Sequence, residues 1–180
     1  MSIHANKLRA GAPMPAVIAK SATGETANLA DRSGDRWKMI IVYRGTHCPL
    51  CVNYLNKVPA YLSRLDAAGI DLAIVSSDSA AQLESFRAKL TSDAAKLPIF
   101  HSLSIQDAQT LGLYISHPRS ETETDHPFPE PALFVVNADD VVQVIDIANN
   151  PFLRPELDGL LGGLEYIRSD KTYPIRGTFE

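Results

Sequence analysis

From Trp37 to Tyr43 the chain reads Trp-Lys-Met-Ile-Ile-Val-Tyr, an apolar, β-branched run of a length suited to a fully buried strand, and it stops at Gly45. Directly beyond it, in Tyr43-Arg44-Gly45-Thr46-His47-Cys48-Pro49-Leu50-Cys51, lie the only two cysteines of the protein. Leu55, Val58, Leu62 and Leu65 then recur at helical spacing until Gly69, which predicts one helix over residues 51–68. Two sulfurs three residues apart at a strand-to-helix junction can close a small disulfide or share a lowered thiol pKa, because a helix N-terminus stabilises negative charge.

The pattern then repeats. A second short apolar run, Asp71 to Ser76, precedes Ser79, an N-cap type of residue opening a helix with Leu83, Phe86 and Leu90 on one face. Strand, helix, strand, helix in that order builds a parallel sheet covered on both faces, so a three-layer α/β domain is expected over residues 1–180. Leu97 to Phe100 reads as a short extended piece and Gln106 to Leu111 as a short helix ended by Gly112. His117 to Pro131, rich in proline and charge, reads as a surface loop. Two apolar runs, Ala132 to Val136 and Val141 to Ile145, flank Asn-Ala-Asp-Asp and predict a hairpin. A last amphipathic stretch, from Arg154 to Arg168, predicts a C-terminal helix weakened by Gly159, Gly162 and Gly163.

At 180 residues with a formal net charge of −4, the chain has core enough for one domain and no clustered Lys/Arg stripe. Neither nucleic acid nor a membrane surface is an expected partner. Met1 to Ala10 lacks an apolar leader core and no stretch approaches about 20 apolar residues, so the expected location is the cytoplasm. Cysteines this close in sequence do not staple distant parts of a fold, which favours a catalytic or metal role.

A strand–helix–strand unit with Cys-x-x-Cys at its first junction, followed much later by Pro131 and a hairpin, resembles the thioredoxin-like fold. Gly11-Ala12-Pro13-Met14-Pro15-Ala16, Gly24-Glu25-Thr26-Ala27-Asn28-Leu29 and the insert before the hairpin resemble the peroxiredoxin branch, the alkyl hydroperoxide reductase and thiol-specific antioxidant group. The resemblance implies a central mixed sheet with helices on both faces and a peroxiredoxin-type N-terminal extension. Two positions depart from that branch. Gly45 stands where peroxiredoxins place a threonine, with Thr46 only two residues before Cys48, and Pro131 stands where they place an arginine. The pattern Arg-Gly-x-x-Cys-Pro-x-Cys is similar to redoxin proteins that combine a peroxiredoxin-like body with a thioredoxin-like active site.

The resemblance implies that Cys48, the more exposed and nearer the helix N-terminus, is the attacking thiolate, and that Cys51 resolves the sulfenic acid or mixed disulfide. It also implies a cis Pro131 beside the sulfurs. Arg44, Arg119 and Arg154 are the candidates for a cation that lowers a thiol pKa or holds a peroxide oxygen, with Thr46 and His47 as supporting residues. The expected activity is reduction of peroxides or of protein and small-molecule disulfides. An external dithiol of thioredoxin or glutathione type would supply electrons; no cofactor is expected, and the resemblance implies a homodimer. Two other uses of the pair stay open: a redox sensor without turnover, and a metal carrier, although a structural zinc site wants four ligands and no second cysteine pair exists.

Overall fold

A computed structural model of the protein describes residues 7–170 and 172–178; the first six residues of the stretch read above for a leader lie outside them. A hairpin of β1 (Ile18–Lys20) and β2 (Thr26–Asn28) precedes the first long strand, β3 (Trp37–Val42). Then come α1 (Pro49–Leu55), a 3-10 turn (Val58–Tyr61), α2 (Leu62–Ala67), β4 (Ile70–Val75), α3 (Ala80–Arg87), β5 (Ile99–Phe100) and α4 (Ile105–Thr110). The chain finishes with β6 (Ile115–Ser116), β7 (Phe128–Pro129), β8 (Ala132–Val136), β9 (Val142–Ile147) and α5 (Leu157–Ser169).

Five strands form one mixed sheet in the order β5-β4-β3-β8-β9. Strand β3 runs parallel to β4 and antiparallel to β8, with Met39 opposite Leu72 on one side and Val135 on the other. Alternation along the strands splits the core in two. Met39, Ile41, Ile74, Leu133 and Val135 face a cluster with Leu55, Leu65, Phe86, Leu161 and Leu164 of the helices. On the opposite face, Ile40, Val42, Val75 and Phe134 pack with Ala108 of α4, with Ala19 of the N-terminal hairpin and with Val17 just before it. The expected three layers and N-terminal extension are therefore present.

The helix expected over residues 51–68 is broken into α1, the 3-10 turn and α2. Pro59, within the first positions of the 3-10 turn, has no N–H for an α-helical bond, and α1 stops with the N–H of Asn56 bonded to Val52. Ser79 caps α3 in a two-way box, donating its N–H to Gln82 Oε1 (2.8 Å) and accepting the Gln82 N–H (3.3 Å). Residues 117–131 are more than a surface loop: Thr124, Phe128 and Glu130 are buried, and β7 pairs with β6. Arg154 does not open the last helix, which begins at Leu157.

Leu157, Leu161 and Leu164 anchor α5, while Gly159, Gly162 and Gly163 face solvent with open space where a Cβ would stand. Glycine in such positions costs backbone entropy and gives nothing in packing. Gly162→Ala is expected to stabilise the fold by roughly 0.5–1 kcal/mol, read as a rise in the urea midpoint at constant slope.

Candidate active site

Strand β3 delivers the chain into the site at Tyr43, whose N–H still pairs with Val75 and whose buried ring stacks on Phe86 at 4.5 Å. The next residues form a loop clamped from below. Asp78, just after β4, accepts the Thr46 N–H at Oδ2 (2.9 Å), and Lys89 donates to the Thr46 carbonyl (2.6 Å) and hydroxyl (3.1 Å). Gly45 makes this possible. Its φ is +140°, and a Cβ there would stand 2.6 Å from Asp78 Oδ1 and 3.2 Å from His47 Nδ1.

Cys48 follows in extended conformation as the N-cap of α1, with Pro49 in the first turn. Its sulfur accepts the N–H of Cys51 at 3.2 Å, taking up a donor that a helix start leaves unpaired. The Cys48 thiol is lowered to about 6, chiefly by a hydrogen bond from the Cys51 thiol, against the opposing effect of burial; the Cys51 N–H, Arg154 and Arg44 lower it further. Cys51 is pushed up by burial and by the adjacent Cys48. Both directions favour ionisation at Cys48 ahead of Cys51 in the reduced pair. Contrary to the sequence expectation, Cys48 is no more exposed than its partner: each is 1% accessible, because the cap geometry folds its sulfur back over α1.

Of the three candidate arginines, Arg154 donates to the Cys51 sulfur and Arg44 lowers the Cys48 thiol through a side-chain hydrogen bond. From the segment joining β9 to α5, Arg154 Nη2 donates to Cys51 Sγ at 3.0 Å and its Nη1 to the Pro151 carbonyl. The guanidinium lies 5.5 Å from the Tyr54 ring, and the Tyr54 hydroxyl in turn donates to the Pro155 carbonyl (3.1 Å). Arg44 is largely shielded from solvent. It packs 4.6 Å over Phe128 and pairs with two shielded carboxylates, Glu130 (3.1 Å) and Glu123 (3.8 Å). Arg119 is largely exposed and meets this network only through Glu123, at 3.2 Å.

His47 packs on Phe128 at 4.4 Å, with both ring nitrogens buried and unpartnered. Burial and then Arg44 push it down to about 4, so it is neutral at physiological pH. Pro131 is buried and lines a groove with Tyr54, Asp146, Leu153 and Arg154, but its peptide bond is trans. The cis geometry expected from the resemblance is absent; the Pro131 carbonyl is instead engaged by the Ala148 N–H (2.9 Å), continuing the β8–β9 ladder in an extended conformation. Among the described residues, no group of three or more His, Cys, Asp and Glu side chains is arranged to hold a metal ion.

Asp78, Glu123, Glu130 and His126 were not among the residues singled out from sequence. Asp78 had a signal, since it follows the carboxyl end of the strand parallel to β3, where sites of open α/β sheets gather. It is fully buried, and burial raises its carboxyl to about 6, with the Thr46 N–H and His126 opposing. The folded state therefore holds the Asp78 proton more tightly than the unfolded chain does. Native stability accordingly falls as pH rises from the ordinary value of 3.8 through 6. Asp78→Asn, which keeps an oxygen for Thr46, is expected to be more stable than the parent above about pH 6 by roughly 3 kcal/mol, the gap vanishing below about pH 4. Urea melts across that range check it, and a pH-independent gap would remove ionisation as the cause.

The comparisons with known proteins agree with this architecture. Residues 10–145 match the family model described as the AhpC/TSA family. No curated protein matches at a significant level. Among solved structures, peroxiredoxin 6 of Arenicola marina superposes with a TM-score of 0.74 at 18% identity, over 89% of this chain and 74% of that one. Mycobacterium bovis AhpC gives 0.71 at 15% identity over 97% and 99% of the two chains. Reduced Prx3 from Vibrio vulnificus, in complex with hydrogen peroxide, gives 0.71 at 15% identity over 87% and 99%. These likenesses carry the fold; the match over residues 10–145 carries the family, and the chain belongs to the AhpC/TSA family as a peroxiredoxin-like oxidoreductase.

Proposed function

We propose that the protein reduces small peroxides through a Cys48/Cys51 cycle. The Cys48 thiolate attacks a peroxide oxygen; an S–O bond forms as the O–O bond breaks, and the departing alkoxide or hydroxide takes a proton and leaves as alcohol or water. Cys51 then attacks the sulfenic sulfur, forming the disulfide as the oxygen leaves as water. An external dithiol, of thioredoxin or glutathione type, restores the pair by exchange and is itself oxidised. Protein disulfides are the slower substrates in this reading.

The observation that carries it is the Cys48 sulfur itself, lowered to about 6, capped by the Cys51 N–H and 1% accessible. Ionisation suits it to nucleophilic attack, and burial favours an attacked molecule of a few atoms over a folded disulfide partner. That a structural neighbour from Vibrio vulnificus is described with hydrogen peroxide bound supports the same substrate class. No described helix is long and apolar enough to cross a membrane, and we take the reductant to be a cytoplasmic one.

Stopped-flow mixing of the reduced protein with hydrogen peroxide, a small alkyl hydroperoxide and a protein disulfide tests the assignment. The peroxides are expected to react at least about tenfold faster than the disulfide. A faster disulfide reaction would replace peroxide by disulfide as the substrate. Sedimentation of the same samples reads the homodimer that the family resemblance implies.

A further inference from the structure

Arg154 contacts the sulfur that does not attack. Its Nη2 donates to Cys51 Sγ at 3.0 Å, while the Cys48 sulfur is hydrogen-bonded by the thiol and the N–H of Cys51 and by Arg44, and feels Arg154 through its charge alone. The guanidinium is held there by a built housing: the Pro151 carbonyl takes its second arm, the Tyr54 ring lies beside it, and the Tyr54 hydroxyl pins the Pro155 carbonyl of the same segment. A planar fork fixed on three sides is pre-organised for one anionic partner.

Resting on the dithiol reading above, we propose that Arg154 is the catalytic group of the resolving half-reaction: it stabilises the Cys51 thiolate that closes the disulfide, and attack by Cys48 depends on it far less.

The reduced state explains why such a group is needed and when it acts. Beside the Cys48 thiolate, Cys51 keeps its proton, first because burial penalises a charge there and then because the Cys48 sulfur opposes a second negative charge. Oxidation of Cys48 to a sulfenic acid or mixed disulfide removes that charge. What then faces the Cys51 sulfur is burial, which favours the thiol, and Arg154, which favours the thiolate; the Arg44 backbone adds a smaller contribution of the second sign. Tyr43, on β3's side, stays protonated, pushed up by its own burial and by Asp78. Asp146, which lines the groove with Arg154, is itself raised by burial. Release of the Cys51 proton to the alkoxide or thiolate leaving the first step would leave the resolving sulfur ionised against the guanidinium. The S–S bond then forms as hydroxide, or the substrate thiolate, departs from Cys48.

A neutral aromatic disulfide, dithiodipyridine, separates the two halves. One equivalent of thiopyridone is released when Cys48 attacks and a second when Cys51 closes the pair, so the phases are read optically without peroxide. In Arg154→Gln the second phase is expected to slow about tenfold or more at neutral pH and its midpoint to move to higher pH, with the first phase changed about threefold at most. Arg154→Lys, which keeps the charge without the fork, is expected to fall between the two and carries the test if the glutamine variant loses its cooperative melt. Equal slowing of both phases, slowing of the first alone, or an unchanged second phase in both variants would overturn the assignment. A parent protein that shows both phases yet ignores hydrogen peroxide would remove the peroxide reading and leave the Arg154 result standing on the exchange reaction.

Discussion

Replacing Cys48 by serine is expected to abolish turnover, leaving less than about a thousandth of the parent rate, since a serine hydroxyl at this position stays protonated where the thiol ionises near 6. The Cys51→Ser protein should behave differently. It keeps the N–H that caps the Cys48 sulfur, so the first half-reaction survives, and a sulfenic acid or mixed disulfide accumulates for want of a resolving thiol. In Cys51→Ala the donor to the Cys48 sulfur is lost as well, which should raise the Cys48 pKa, because that bond is the largest lowering contribution. Attack by the alanine variant at about pH 6 should therefore slow more than its attack at about pH 8. Dimedone trapping with mass spectrometry reads the adduct. Equal loss of the first step in both serine variants would end the division into attacker and resolver.

Gly45→Ala is expected to damage the site without touching a sulfur. The methyl group meets the Asp78 carboxylate at 2.6 Å, and a φ of +140° is strained for any residue with a Cβ. Relief requires the loop to move off Asp78, breaking the bond from the Thr46 N–H and leaving a buried carboxylate with one partner fewer. A loss of roughly 2–4 kcal/mol is expected in urea melts. Bimane labelling of Cys48 should slow about twofold at pH 7 and about tenfold at pH 5 if displacement of the loop raises its pKa from about 6 by about one unit. Adding Asp78→Ala should recover part of the stability but not the part due to backbone strain, which separates the two causes in a double-mutant cycle. Full stability in the single variant would mean that the loop tolerates a side chain at this point.

Residues whose signal is local were the ones legible in the sequence. The buried strand from Trp37, the cysteine pair after it, the Ser79 cap and the β8–β9 hairpin all appear close to where period and turn chemistry put them. The broken helix was legible in principle, since Pro59 sits inside the helical pattern, but the leucine spacing continued through it and masked the interruption. What could not be seen was pairing across the chain. Arg44 was a candidate cation for the thiol, but its partners Glu123 and Glu130 could not be foreseen because they lie in a segment whose composition signals only a loop. Pro131 was expected to be cis on resemblance alone, and nothing in the residues around it specifies the isomer. Arg154 was a candidate for its charge, yet which sulfur it meets depends on how the segment after β9 folds over Tyr54.

The placement of Arg154 bears on how such a site can be moved or diversified. The family match ends at residue 145, and the cation that meets Cys51 lies beyond it, on a segment that belongs to no strand or helix. Grafting residues 43–51 onto another scaffold would transfer the sulfurs and their cap but neither the carboxylate beneath the loop nor the guanidinium. The portable unit is discontinuous, three pieces of chain, and its charge can be exchanged without altering the strand that carries the cysteines.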